Sequence, residues 1–105
     1  MLYKSGKNAK VGVIDGTRVL TTAGTRLTLV ASSTPAKYVI ITAKAANTGV
    51  MVVGAVTVVA AEATRQGDPL SPGEKLPMEV PGNDLVNIYI DSTVSLDEVV
   101  YIAWN

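Results

Sequence analysis

Alternation of apolar and polar residues dominates the chain from Arg18 onward and predicts short β-strands. Between residues 26 and 30, Leu27 and Leu29 fall on one face and Thr28 falls on the other. Comparable patterns occupy residues 18–22, 37–44, 74–80, 85–91 and 99–104. Turn residues separate these segments at intervals of about 8 to 12 residues. No segment has the pattern of an amphipathic helix, so we expect an all-β chain.

The strand count and the spacing favour an antiparallel two-sheet β-sandwich of jelly-roll-like kind, with roughly seven to nine short strands. A small closed barrel fits the same pattern. Pro77 cannot donate a hydrogen bond to a neighbouring strand, so its strand is expected at a sheet edge. Because the chain has 105 residues, it has room for one domain.

The run NTGVMVVGAVTVVAA, residues 47–61, breaks the alternation, since it is almost wholly apolar. It is shorter than the 20 or so apolar residues that a membrane span needs. It predicts two short strands, or one strand with a bulge at Gly54. Apolar residues at successive positions imply burial on both faces. The second face is expected to lie under either a loop of the same chain or another copy of the chain.

If another copy covers that run, its contacts would include residues from both predicted strands: Met51, Val53, Val56 and Val58. A second group of candidate partner contacts lies in residues 1–17, which we expect to form a basic N-terminal arm ahead of a single sandwich domain, 18–105. The group comprises Lys4, Lys7 and Lys10. The dipeptide Asp15-Gly16 predicts a turn within the arm.

The lysines of the arm lack the wider basic patch and the interleaved aromatic residues that nucleic-acid binding requires. No nucleic-acid partner and no membrane partner are therefore expected. Charge is uneven along the chain: residues 1–50 hold seven basic residues against one acid, and residues 51–105 hold two against eight. Either the two halves interleave in space and mix their charges, or the particle is dipolar and associates head to tail.

The composition excludes several kinds of chemistry. The chain has no Cys and no His, which removes disulfides, thiol nucleophiles, the usual zinc sites and all Ser-His or Cys-His mechanisms. The acids Asp84, Asp91, Asp97 and Glu98 fall in turns or at strand ends, where solvated carboxylates are expected. Their spacing matches neither a general acid–base pair nor a calcium loop. We expect no enzyme activity, no catalytic residues, no cofactor and no metal.

Aromatic residues offer one further binding chemistry, stacking on sugar rings. The candidates are scattered along the chain, and by alternation Tyr89 faces outward while Tyr101 lies on the face opposite Trp104. Such scattered aromatic residues are more typical of a core and its rim than of a binding platform.

Four ordered segments carry a resemblance to a known class of protein. They are TTAGTRLTL, STPAKYVIITAKAANTGVMVVG, PLSPGEKLPMEV and LVNIYIDSTVSLDEVVYIAW. Together they make residues 18–105 resemble small β-sandwich structural proteins of tailed bacteriophage virions. The basic arm lies outside this resemblance.

The resemblance implies a non-enzymatic virion component. The expected function is that of a capsid decoration or cement protein, on the capsid exterior, that stabilises the phage head by packing as a homo-oligomer, a dimer or a trimer. Its partners would then be itself and the major capsid protein or another virion protein, met in the host cytoplasm during assembly. The alternative is a tail, fibre or baseplate module that contacts a host glycan through Tyr89 or another outward aromatic residue.

Overall fold

Eight β-strands make up most of the regular structure of residues 12–105, the part of the chain that the computed structural model describes. The strands are β1 (Val13–Val19), β2 (Leu27–Thr28), β3 (Tyr38–Ala43), β4 (Met51–Gly54), β5 (Asp68–Leu70), β6 (Lys75–Glu79), β7 (Tyr89–Ser92) and β8 (Glu98–Trp104). Three short 3-10 turns lie at Glu62–Thr64, Pro81–Asn83 and Leu85–Asn87.

The strands form two four-stranded antiparallel sheets. The first sheet has the order β1-β8-β3-β6, and the second has the order β2-β7-β4-β5. The predicted all-β, two-sheet antiparallel sandwich is thus confirmed. Strand pairing is nested, since β1 pairs with β8, β2 with β7, β3 with β6 and β4 with β5. This nesting favours the jelly-roll-like interpretation, which stays a prediction.

A single large core fills the space between the sheets. Val39 and Ile41 of β3 point into it and are 1% and 0% exposed. Ile90 of β7 meets them from the second sheet, and is also fully buried. The edge position predicted from Pro77 is confirmed, because β6 is the last strand of the first sheet.

The first strand starts earlier than the sequence predicted. β1 begins at Val13 and contains Asp15 and Gly16, which pair with Ile102 and Tyr101 of β8. The predicted turn at Asp15-Gly16 is therefore wrong, and residues 13–17, expected in the arm, belong to the first sheet. A Cβ at Gly16 would lie 2.7 Å from Cζ of Tyr101. Gly16 thus allows the tyrosine ring to lie across the strand.

Strand β4 is buried on both faces, as its continuous apolar sequence predicted. Met51, Val52 and Val53 are 0%, 0% and 2% exposed. Met51 and Val53 belong to the large core, whereas Val52 packs in a second cluster with Val58 and Ala60. The cover is therefore residues 55–67 of the same chain, which we call the cover loop. It forms no second strand there.

Close approach holds the cover loop against β4. Gly67 has a φ of +118°, and a Cβ there would lie 2.7 Å from the carbonyl oxygen of Val53. A larger residue would be both strained and sterically blocked. The Nε of Arg65 donates to the Ala60 carbonyl at 3.0 Å, which ties the loop to itself.

The two halves of the chain interleave in space. The first sheet alternates β1 and β3 from the basic half with β8 and β6 from the acidic half. Within the described residues, strands of the two halves are therefore mixed in one sheet, which agrees with the first of the two interpretations; Lys4, Lys7 and Lys10 lie outside the described residues.

Candidate functional site

The structure places most of the predicted apolar contacts inside the chain. Met51, Val53 and Val58 are 0%, 2% and 1% exposed, and only Val56 reaches the surface, at 54%. The first three are corrected here from surface to core, because the cover loop occupies the place that a second copy was expected to fill. The predicted basic contacts Lys4, Lys7 and Lys10 lie outside the described residues.

The outward side of the first sheet, unlike that of β4, is not covered by any of the described residues. We call this surface the outer face. The residues that pair across its four strands form three rows. The rows are Val13-Trp104-Tyr38-Glu79, Asp15-Ile102-Ile40-Pro77 and Thr17-Val100-Thr42-Lys75.

The centre of the outer face is apolar. Ile102 and Tyr38 are each 42% exposed, and Val13 is 68% exposed. The rings of Tyr38 and Trp104 pack together, with centroids 6.0 Å apart and planes tilted by 30°. The described part of the first sheet therefore exposes apolar side chains side by side at its centre.

Charged residues surround this apolar centre. Asp15 lies on the edge strand β1, and Lys75 lies on the opposite edge strand β6, both exposed. At one end of the face, the Lys44 Nζ is 3.1 Å from the Glu98 Oε1. An apolar centre with a polar rim is the usual anatomy of a protein–protein interface.

Two of the acids expected in solvent are buried instead. Asp97 is 6% exposed and accepts hydrogen bonds from the amides of Thr48 and Gly49, at 3.1 and 2.8 Å. Asp91 is 2% exposed. Both predictions of a solvated carboxylate are wrong, because each side chain satisfies backbone N–H groups of a neighbouring loop.

Asp91 connects three segments of the chain. Its Oδ1 accepts from the amides of Gly24 and Ser92, at 3.0 and 2.8 Å, and its Oδ2 accepts from the amide of Ala60 at 2.9 Å. The carboxylate therefore holds the loop after β1 and the cover loop against β7. Within residues 12–105, no group of three acidic side chains is arranged to hold a metal ion.

Asp84 has a similar role nearer the surface. The Ser33 hydroxyl donates to its carboxylate, and the amides of Val86 and Thr34 donate to its Oδ1 at 3.0 and 2.8 Å. These bonds, the Ser33 bond most of all, hold the pKa of Asp84 below its ordinary value of 3.8. The ionised form is favoured because each donor stabilises negative charge.

We expect Asp84→Asn to lower the free energy of unfolding at pH 7 and to have less effect in acid. A carboxyl with a depressed folded pKa stabilises the fold above its unfolded pKa, about 3.9. That contribution is lost as the pH falls through the lower folded pKa. Urea unfolding of both proteins at pH 7 and near pH 2 measures the difference. If the difference in unfolding free energy between wild type and variant does not decrease in acid, the lowered pKa of Asp84 is not its cause.

The aromatic residue proposed for sugar contact is not an open platform. Tyr89 is half-buried and packs against the second cluster, which contains Val52 and Val58. The aromatic pair on the outer face is instead Tyr38, which is 42% exposed, with the half-buried Trp104.

Residues of the outer face were absent from the predicted contacts, although the sequence carries a signal for them. Strands β3 and β8, YVIITA and EVVYIAW, are largely apolar at successive positions, as residues 47–61 are. The argument from burial on both faces applies to them equally. It would have pointed to Tyr38, Ile102 and Trp104.

Comparison with known proteins adds no assignment. No protein-family model, no curated protein and no solved structure matches the chain. In the described part of the chain, no helix has the length and apolar character to cross a membrane. Residues 12–105 thus form a small β-sandwich whose first sheet has an apolar outer face that these residues do not cover.

Proposed function

We propose that this chain is a non-enzymatic structural protein of a bacteriophage particle. It decorates the capsid exterior as a cement protein and stabilises the phage head by packing as a homo-oligomer. The resemblance of residues 18–105 to virion β-domains supports this assignment. The protein would meet its partners, further copies and the major capsid protein, in the host cytoplasm during assembly.

The observation that carries the proposal is the outer face. It exposes Tyr38, Ile102 and Val13 within a charged rim, which suits contact with another protein surface. The most buried carboxylates, Asp91 and Asp97, are engaged by backbone amides. The described residues thus present a surface for packing, while their buried acids serve the fold.

Stabilisation would follow from mass action. A protein that binds the assembled shell, and not its dissociated subunits, shifts the equilibrium toward the shell. The gain depends on the ratio of free protein concentration to the dissociation constant, so it rises with the amount of protein supplied. No chemical step is required.

We expect deletion of residues 1–10 to leave a folded oligomer that no longer binds capsids, because the deletion removes Lys4, Lys7 and Lys10. Co-sedimentation with capsids prepared without the protein measures binding, and circular dichroism checks the fold. A matched variant with all three lysines replaced by glutamine separates charge from chain length.

Unchanged capsid binding after the deletion would reject this role for the segment. Failure of the full chain both to bind capsids and to raise their dissociation temperature would reject the cement function.

A second candidate is a tail, fibre or baseplate module that contacts a host glycan. The Tyr38–Trp104 pair on the outer face favours it, because aromatic rings can stack on sugar rings and Tyr38 is 42% exposed. This candidate requires saturable sugar binding on a glycan array that Trp104→Ala abolishes. An array without signal above background would count against it.

A further inference from the structure

We propose that the outer face is the surface through which two copies of this chain associate. The two-fold axis runs between β8 and β3, parallel to the strands. This deepens the proposed homo-oligomer and rests on it, by naming the surface, the partner and the symmetry of the contact.

The first argument is the exposure of apolar residues on central strands. β8 and β3 are the two middle strands of the first sheet. The cover loop shields the equivalent outward side of β4 in the second sheet, where Val52 is 0% exposed. On the outer face, by contrast, Ile102 and Tyr38 remain 42% exposed. A second sheet placed on this face would bury them as the cover loop buries Val52.

The second argument is that the proposed axis makes the face complementary to itself. Rotation about it places β8 opposite β3 of the second copy, and β1 opposite β6. Because the rows stay in register, Trp104 then meets Tyr38 of the second copy, and Ile102 meets Ile40. Aligned face-to-face packing of sheets, with strands about 30° apart, is a common arrangement.

One pair of charges in the rim is complementary under the same rotation. Glu98 and Lys44 continue the register of β8 and β3, since the Lys44 amide donates to the Glu98 carbonyl at 3.1 Å. Glu98 of one copy therefore faces Lys44 of the other, and this pairing occurs twice, once on either side of the axis. Asp15 faces Pro77 of the second copy and lies one row from both Lys75 and Glu79, so it neither favours nor opposes the contact.

The other axis that lies in the plane of the face is less favourable. An axis perpendicular to the strands, through the row of Ile102 and Ile40, places each strand opposite its own copy. Asp15, in that same row, would then lie against Asp15 of the second copy. Like charges at a contact oppose association. This axis would also set Glu79 opposite Lys75, but it moves Trp104 away from Tyr38 of the second copy and Glu98 away from Lys44. The axis parallel to the strands is preferred because it keeps both of these contacts.

The size of the face sets the strength of the contact. Four strands about 4.8 Å apart, each about seven residues long at 3.3 Å per residue, cover roughly 400 Å². A standard stable interface buries about 800 Å² on each partner. The dimer should therefore be weak, with a dissociation constant on the order of micromolar or higher.

The test uses charge reversal on the full chain. Glu98→Lys and Lys44→Glu should each raise the dissociation constant about tenfold or more, because each variant sets like charges opposite one another in its own dimer. An equimolar mixture of the two variants should restore association, because the reversed charges are then complementary between copies while the pair within each copy remains like-charged. Sedimentation equilibrium over a concentration series measures each constant. Asp68→Lys, a reversal on an exposed residue of the second sheet, should leave the constant unchanged.

Three results would overturn the proposal. They are a wild-type monomer at millimolar concentration, a trimer, and self-association that the single reversals do not weaken or that mixing the two variants does not restore. Because no capsid is present, each is independent of the cement function. A monomer that still binds and stabilises capsids would retain that function without the dimer.

Discussion

Replacing Asp91 with alanine should lower the free energy of unfolding by about 3 kcal/mol, since several backbone donors would lose their acceptor together. The donors are the amides of Gly24, Ala60 and Ser92, all within 3.0 Å of the carboxylate. The Ala60 bond is buried, so water does not readily replace it there. The loss would be a large part of the stability of a small domain.

Urea unfolding measures the effect as a fall in the urea concentration at the unfolding midpoint, with the slope of free energy against urea concentration unchanged. Asp68→Ala, which removes an exposed carboxylate, is the control and should change stability by no more than about 0.5 kcal/mol. Limited proteolysis adds a local measurement, because the cover loop should be cut sooner once Asp91 no longer holds it. Equal stability losses in the two variants would contradict the structural role of Asp91.

Ile41→Ala should destabilise the fold by about 2 to 5 kcal/mol, the usual range for truncating a buried isoleucine. The side chain is 0% exposed and lies in the main core. Its loss would leave a cavity between the sheets, in a region where the neighbouring strands restrict relaxation.

The neighbouring Ile40 provides a matched control. It lies on the same strand and has the same chemistry, but it is only partly buried, on the outer face. At concentrations low enough to keep the chain monomeric, Ile40→Ala should cost clearly less than Ile41→Ala, about 1 kcal/mol. Similar costs for both variants would mean that the two sides of β3 are equally buried in the monomer.

Local pattern was sufficient to predict the fold where one side of a strand faces the core and the other faces outward. β6 alternates as expected, with Leu76 and Met78 more buried than their neighbours, and Pro77 marks the edge of its sheet. In such strands, burial alone determines which residues are apolar. The class of fold follows from these segments and from the turns between them.

Errors arose where a distant residue decides the local structure. Asp15-Gly16 resembles a turn dipeptide, yet Gly16 lies in a strand beneath Tyr101 from the other end of the chain. Leu85 begins a segment that the pattern predicts to be a strand, but it starts a 3-10 turn and is fully buried. The local sequence does not indicate that Asp91 and Asp97 are buried, because their hydrogen-bond partners are backbone amides, which every residue type except proline provides.

The candidate surface was predictable in principle and was assigned to the wrong strand. Apolar residues on both sides of a strand indicate that something covers each side, and β3, β4 and β8 all satisfy this condition. Whether the cover is internal depends on the path of residues 55–67, which the pattern of the sequence does not specify. Val58 was consequently assigned to the surface, and Ile102 was overlooked.

The nested strand order has a consequence for biosynthesis. The last of the described strands to be made, β8, lies between β1 and β3 and pairs with both. Until β8 has left the ribosome, β1 has no neighbour in its sheet and β3 lacks one of its two. The first sheet can therefore be completed only after β8 has emerged, through contacts distant in sequence that are slow to find. In the meantime the nascent chain exposes the edges of these strands, which makes it vulnerable to aggregation.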